Sequence, residues 1–338
     1  MVLPAHLGES STKGPRAVLG QRDVALRSLL AWLLGLLLPW TATAAEHLPR
    51  AEGVDLRVLV WNVSRESVFA HAQDYARLLA RIDADLMILD EVPAEGTPAR
   101  LTHALQLGPE WRISYGTSGH NQRSALLARG DWRPLAGFEH IPYGRRAQTR
   151  LLAASRPQIR EREALSLAGG VAAHGAVLAL DGRRLLVAGL DLQCCGDTPD
   201  SAEEQRRRVE ARAIRTLLER AATRSRFDAV IVGGDFNTTQ GLVPVSLIAG
   251  VGRNTPPRLQ RADSRHADGP SWTWDGRGTP FASKALDHVL HSRELRVRAA
   301  LIFDPETLPP DQRLGLSPGL MRQLGDHRPI VVDFAWIR

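Results

Sequence analysis

Short apolar runs that stop abruptly at an acid, an amide or a histidine recur along this chain. Leu56 to Trp61 alternates polar and apolar positions before turning apolar, which predicts a strand ending at Asn62. Phe69 to Ile82 carries Tyr75, Leu78, Leu79 and Ile82 at helical spacing, and Leu86-Met87-Ile88-Leu89 then reads as a buried strand ending at Asp90-Glu91. Further strands are predicted at residues 112–115, 124–128, 176–180, 185–190, 229–232, 288–290 and 330–334.

The run Val230-Ile231-Val232 passes through Gly233-Gly234 to Asp235-Phe236-Asn237, so two polar side chains land at the C-terminal tip of a buried strand. Asp200-Ser201-Ala202-Glu203-Glu204 reads as a capped helix start, and that helix runs to about Ala222 with its arginines on the solvated side. Residues 138–163 and 304–323 show no period and read as loops. Strands separated by helices, then hairpin-like pairs, predict a mixed sheet with helices outside, in one domain over residues 53–338.

Upstream, Arg16, Arg22 and Arg27 precede the apolar stretch Leu29 to Trp40 and the small residues Thr41 to Ala45. That order is the one of a secretory signal, so residues 1–44 are expected to be removed on export and 45–52 to act as a linker. An uncleaved membrane anchor at residues 28–40 and a buried helix remain as alternatives. The expected location is secreted or periplasmic. The formal charge is +6, but Lys occurs only at positions 13 and 284. A basic excess made almost wholly of Arg supports an anionic partner weakly. The two cysteines, Cys194 and Cys195, are neighbours, which excludes a disulfide framework and a thiolate zinc site.

Five segments share one grammar, a hydrophobic run beside oxygen or imidazole side chains: Trp61-Asn62, Leu89-Asp90-Glu91, Gly234-Asp235-Phe236-Asn237, Ala285-Leu286-Asp287-His288 and Gly325-Asp326-His327-Arg328-Pro329. Each alone is open to a bland reading as a turn amide, a solvated strand end or a surface pair. In this order they resemble the endonuclease/exonuclease/phosphatase superfamily, the group of deoxyribonuclease I, abasic-site endonucleases, neutral sphingomyelinases and inositol-polyphosphate 5-phosphatases. The resemblance covers essentially the whole chain after residue 52. It implies an α/β (α+β) four-layer sandwich, two mixed β-sheets face to face with helices on both outer faces.

The resemblance also implies a site. Asn62 and Glu91 would hold a divalent metal, Mg²⁺ or Mn²⁺, with Asp326 nearby. Asp235 would orient or deprotonate water, Asn237 would hold a phosphate oxygen, and His327 would face the phosphate with Asp287 fixing its ring. Phosphodiester hydrolysis builds charge on oxygen, and a hard cation with oxygen ligands answers that need. Whether Asp235 or His327 is the base stays open. Asn121 and Arg123 lie where relatives contact phosphate, and Asp191 stands where many relatives have a histidine that donates to it. A carboxylate there repels phosphate unless protonated, so Asp191 lowers activity, recruits a further metal or changes the substrate. Gln193 and His174 are candidate replacement donors.

The expectation is therefore an exported, metal-dependent, monomeric phosphoesterase acting on phosphodiesters, with nucleic acid slightly ahead of phospholipid. The alternative is a pseudo-enzyme that binds a phosphorylated ligand or partner. Trp272 and Trp274 are read either as a wall against a base or sugar or as core aromatics, Lys284 as a solvated residue and Cys194-Cys195-Gly196 as a tight turn.

Overall fold

Apolar runs without alternation need cover on both faces, and the computed structural model supplies it. It describes residues 47–196 and 198–337. The expected signal segment lies outside them. Among the described residues, twelve strands form two six-stranded sheets. They are β1 (Leu56–Asn62), β2 (Leu86–Pro93), β3 (Arg112–Tyr115), β4 (Gln122–Ala128), β5 (Asp131–Pro134), β6 (Ala173–Leu180), β7 (Arg183–Asp191), β8 (Ala229–Asp235), β9 (Leu259–Arg261), β10 (Asp287–Ser292), β11 (Leu295–Ile302) and β12 (Ile330–Trp336). One sheet has the order β11-β12-β1-β2-β4-β3, the other β5-β6-β7-β8-β10-β9.

Helices α1 (Ser67–Ala70), α2 (Ala72–Ile82), α3 (Pro98–Ala104), α4 (Arg145–Ala154), α5 (Arg160–Ala168), α6 (Ala202–Arg224), α7 (Val243–Ala249) and α8 (Leu320–Leu324) connect the strands. Strand alternation divides the core into three layers. Val58 and Val60 of β1 join Ile88, Leu126, Val187, Ile231 and Val289 between the sheets. Their neighbours Leu59 and Trp61 face the other way, onto Tyr75, Leu78 and Ile82 of α2. Across the molecule, Leu186, Ala188 and Val230 meet Ala211, Ile214 and Leu218 of α6. Two mixed sheets with helices on the outer faces are the architecture expected from the sequence.

Several local expectations need correction. The helix read from Phe69 is broken at His71, where α1 ends and α2 begins. Residues 138–163 are not simply loop, since they hold α4 and the first turn of α5; each helix buries a single residue, Leu151 and Leu167, so its period is faint. Residues 304–323 likewise include a short 3-10 turn and most of α8. The edge strand β11 escaped because a bulge between Val297 and Ala299 interrupts its alternation. Residues 47–52, within the expected linker, are docked: Leu48 is buried and its N–H donates to the Arg81 carbonyl.

The arginines of α6 are only partly on a solvated side: Arg212, Arg220 and Arg224 are exposed, but three others are not. Ser201 caps the helix as expected, accepting from the Glu204 N–H. Arg206, Arg207 and Arg215 are buried and ion-paired to Glu210, Glu204 and Glu219. A buried guanidinium is tolerated only with such partners. Among the described residues, no helix is long and apolar enough to cross a membrane.

Candidate active site

Register brings the polar tips together. In the first sheet the parallel pair β1 and β2 sets Asn62 beside Asp90. In the second, parallel β7 and antiparallel β10 flank β8, so Asp191, Asp235 and Asp287 form one row across three strands. His327 reaches the same place from the loop ahead of β12, through a bridge to Trp274. The two glycines before Asp235 make room: a Cβ at Gly233 would lie 2.6 Å from Val60, and one at Gly234, where φ is +138°, would lie 2.6 Å from Asp90 Oδ2.

His327 and two aspartates form the centre. The His327 Nδ1 lies 2.8 Å from Asp287 Oδ2, and its Nε2 lies 3.7 Å from Asp235 Oδ2. With Asp287 as acceptor, Nδ1 carries a proton. Burial alone would lower the His327 pKa, but the charge and hydrogen bond of Asp287, with Asp235 and Asp326 beyond, raise it to about 10. Burial and the Asp287 charge raise Asp235 to about 7, against the pull of His327 and the Asn237 N–H. That N–H donates to Asp235 Oδ1 at 2.7 Å, and Asn62 Nδ2 approaches Oδ2 at 3.3 Å.

Asn237 has left-handed backbone, φ +49°, which turns its amide toward β7. Its Nδ2 donates to the Leu192 carbonyl at 2.8 Å and points at Asp191 Oδ1 from 3.4 Å, a contact long enough to yield to a better acceptor. Glu91 is also left-handed, φ +53°, at the bulge between β2 and β4. The bulge leaves Asp90 facing inward, where Ser124 donates to Oδ1 at 2.8 Å, while Glu91 meets the exposed Arg65 at 3.1 Å.

Other expected residues separate. Asp326 is exposed, its Oδ2 accepting from Trp274 Nε1 at 2.8 Å and its Oδ1 facing Ser64 at 3.4 Å. Asn121 is exposed, and its backbone carbonyl accepts the Ala94 N–H. Arg123 is on the face of β4 opposite Gln122 and Ser124, with its guanidinium on the carbonyls of Gly119, His120 and Gln122. His174 is bonded to Ser114, and Gln193 turns to the Cys194 carbonyl, so neither replaces a donor beside Asp191. Trp272 packs on His266, with ring centroids 4.1 Å apart, and Trp274 supports Asp326. Lys284 is half-buried, not solvated, and its Nζ reaches the Thr239 carbonyl at 3.3 Å.

Three residues of the site were missed. Gln122 donates to Asp191 Oδ2 at 2.6 Å, and Ser124 holds Asp90, whose Oδ2 is buried without a partner. Alternation from Ile88 was the available signal for Asp90, since a residue two along on an inward face points inward too. Burial, opposed by Ser124, and the charges of Asp287, Asp235 and Glu91 push Asp90 well above the carboxylate range. Burial and the charges of Glu91, Asp235 and Asp90 do the same to Asp191, against the Gln122 amide.

The donor set fits a hard cation. Asp287 Oδ1 and Asp90 Oδ2 are buried and unpartnered, and the carboxylates of Asp191, Asp235 and Asp287 crowd the site around His327. An anionic substrate would be repelled unless that charge were neutralised. Asp235, Asp287 and His327 offer ligand atoms all within 4.8 Å of one another, a different trio from the expected Asn62, Glu91 and Asp326. Of those three, Glu91 and Asn62 lie with the cluster, whereas Asp326 faces outward.

The sequence model of the Endonuclease/Exonuclease/phosphatase family matches residues 59–327, which spans every element of the site. The chain belongs to the endonuclease/exonuclease/phosphatase family. Solved structures share its fold. The human Nocturnin catalytic domain with bound sulfate is 17% identical at a TM-score of 0.54, with 86% of this chain and 96% of that one covered. A mannosyl-6-phosphatase of Bacteroides thetaiotaomicron is 15% identical at 0.52, over 83% and 100%. A 3'-5' exonuclease from Neisseria meningitidis is 18% identical at 0.50, over 83% and 100%. No curated protein matches the chain by sequence. At these identities the likeness establishes the fold, which is shared by a phosphatase and an exonuclease.

Proposed function

We propose that this family member is a divalent-metal-dependent phosphoesterase acting on phosphodiesters, with nucleic acid favoured over phospholipid as substrate. The observation that carries the reading is the His327-centred row, with Asp287 behind the ring at 2.8 Å and Asp235 in front of it at 3.7 Å. Glu91 and Asn62 would hold Mg²⁺ or Mn²⁺, which supplies charge neutralisation of the phosphate and of the leaving oxygen when bound.

The protein's own groups divide the remaining work. His327, protonated at neutral pH and fixed by Asp287, donates to a phosphate oxygen. Asp235, held near neutrality, takes the proton of the attacking water, since a base works best with its pKa near the working pH. Asn237 turns its second amide N–H from Asp191 to a phosphate oxygen.

Export is part of the proposal and rests on the order of basic, apolar and small residues in positions 1–45. Nucleic acid is favoured because structures of the same fold include a D. rerio TDP2 complexed with a single-strand DNA product and a 3'-5' exonuclease. Asp191 supports a second reading, a protein that binds a phosphorylated ligand without turning it over. The test is turnover of bis-p-nitrophenyl phosphate with Mg²⁺ or Mn²⁺, compared with Glu91→Ala and His327→Ala. Metal-dependent activity lost in both variants supports catalysis; activity no greater than theirs favours the binding reading. DNA, RNA and sphingomyelin offered in parallel decide the substrate, and N-terminal sequencing of the exported protein decides cleavage.

A further inference from the structure

The loop between β7 and α6 carries both cysteines of the chain, and neither has a place in the chemistry above. Both thiols are exposed, and their sulfurs lie 2.7 Å apart. An S–S bond measures about 2.04 Å, so closing the pair asks little movement of sulfur and places the distortion on the peptide between them. Cys195 already holds left-handed backbone, φ +69°.

That peptide is tied to the site. Arg207, fully buried and paired to Glu204 at 2.8 Å, donates to the carbonyls of Gln193 and Cys195. Thr239 Oγ1 donates to the Cys195 carbonyl at 3.0 Å, and Gln240 Nε2 to the Gly196 carbonyl at 2.9 Å. Asn237 donates to the Leu192 carbonyl at 2.8 Å. The cysteine loop and the loop after Asp235 are thus stitched side by side, and a turn of the Cys194–Cys195 peptide is passed directly to the 237–240 segment.

We propose that Cys194 and Cys195 form a reversible vicinal disulfide whose closure displaces the 237–240 segment and lowers the activity of the site. The effect on activity rests on the catalytic reading; formation of the bond does not. The oxidant is a small-molecule disulfide. The Cys195 thiolate attacks one of its sulfurs and expels a thiolate, leaving a mixed disulfide. The Cys194 thiol then loses its proton, attacks Cys195 Sγ and expels the second thiolate. Two protein thiols are oxidised to one S–S bond, the oxidant is reduced to two thiols, and the two protons end on them. The contact with Cys194, against partial burial, lowers the Cys195 thiol to about 6, which suits it to the first attack. A strained bond of this kind is easily reduced again.

The full chain, incubated with glutathione disulfide, tests the proposal. The expected result is loss of both titratable thiols, an intact mass lower by two hydrogens with no glutathione adduct, and no linked dimer on a non-reducing gel. Amide hydrogen exchange should change at residues 237–240, and turnover of bis-p-nitrophenyl phosphate should fall several-fold and return with dithiothreitol. The double variant Cys194→Ser, Cys195→Ser should match the reduced protein and ignore the oxidant. Thiols that stay free, a stable mixed disulfide or a linked dimer would overturn the bond. A bond that leaves exchange at 237–240 unchanged would overturn the coupling. These mass and exchange readouts stand even if the protein hydrolyses no phosphoester, so the two readings fail separately.

Discussion

Asp191 and Asp235 stand directly opposite each other at the ends of the parallel strands β7 and β8. Two carboxylates so placed, with Glu91 and Asp90 close behind, cannot all ionise without a cation. Like charges about 5 Å apart at an effective dielectric of about 20 repel by roughly 3 kcal/mol. Protonation and the Gln122 amide relieve part of this at Asp191. Replacing Asp191 by His removes the rest and restores a donor, so kcat/KM for bis-p-nitrophenyl phosphate should rise by about tenfold, or about 1.4 kcal/mol. A fall instead would show that the carboxylate helps to hold the metal.

The pairing of His327 with Asp287 sets a second expectation. Asp287→Asn removes the charge that holds the ring proton on Nδ1 and leaves a neutral amide, which can turn either its oxygen or its NH2 to the ring. Turnover should drop by about 10²- to 10⁴-fold, the range of a lost acid or base. The basic limb of the pH profile should also move down by more than about one unit, because without Asp287 the burial of His327 lowers its pKa unopposed by that carboxylate. A drop in turnover with an unmoved basic limb would count against His327 as the acid.

Why these residues were legible while others were not follows from strand geometry. Strands covered on both faces are largely apolar, so their ends are marked by polar residues, and Asn62, Glu91 beside Asp90, Asp235 and Asp287 stand at such ends. Asp90, Gln122 and Ser124 depend on which face of a strand is inward and on its partner's register, neither of which a single run of residues contains. The left-handed turn at Glu91 is likewise set by the bulge opposite Arg123 and not by any local glycine. Arg206 and Arg207 of α6 misled because charge reads as exposure unless the buried partners Glu204 and Glu210 are known.

Gly234 is a sharp test of the packing behind the site. At φ +138° an added Cβ would overlap the Leu190 carbonyl oxygen and crowd Asp90 Oδ2. Strain at such a backbone costs on the order of 1–3 kcal/mol before any clash. Gly234→Ala should therefore lower unfolding stability by more than about 3 kcal/mol, read from the urea midpoint at constant slope. Gly241, with open space around its Cα, is the control; Gly241→Ala should cost no more than the backbone term alone, about 1–3 kcal/mol.

His174 gives the pH dependence of stability a residue away from the metal site. It is buried, its Nε2 shares a hydrogen bond with Ser114 at 2.8 Å and its Nδ1 has no partner. Burial lowers its pKa to about 4, whereas the unfolded chain binds that proton near the ordinary histidine value. The unfolded state therefore takes up more protons below about pH 6.5, and the neutral ring's contribution is full above that pH and lost as pH falls toward 4. Between pH 7 and pH 5 this amounts to about 2 kcal/mol. Asp235, whose pKa is raised, acts in the opposite sense over the same range, since its folded form holds the proton more tightly. Comparing the parent with His174→Gln cancels that shared contribution. Urea unfolding at the two pH values should show a stability loss smaller by about 2 kcal/mol in the variant, and equal losses would mean that His174 is solvated enough to protonate in the folded state.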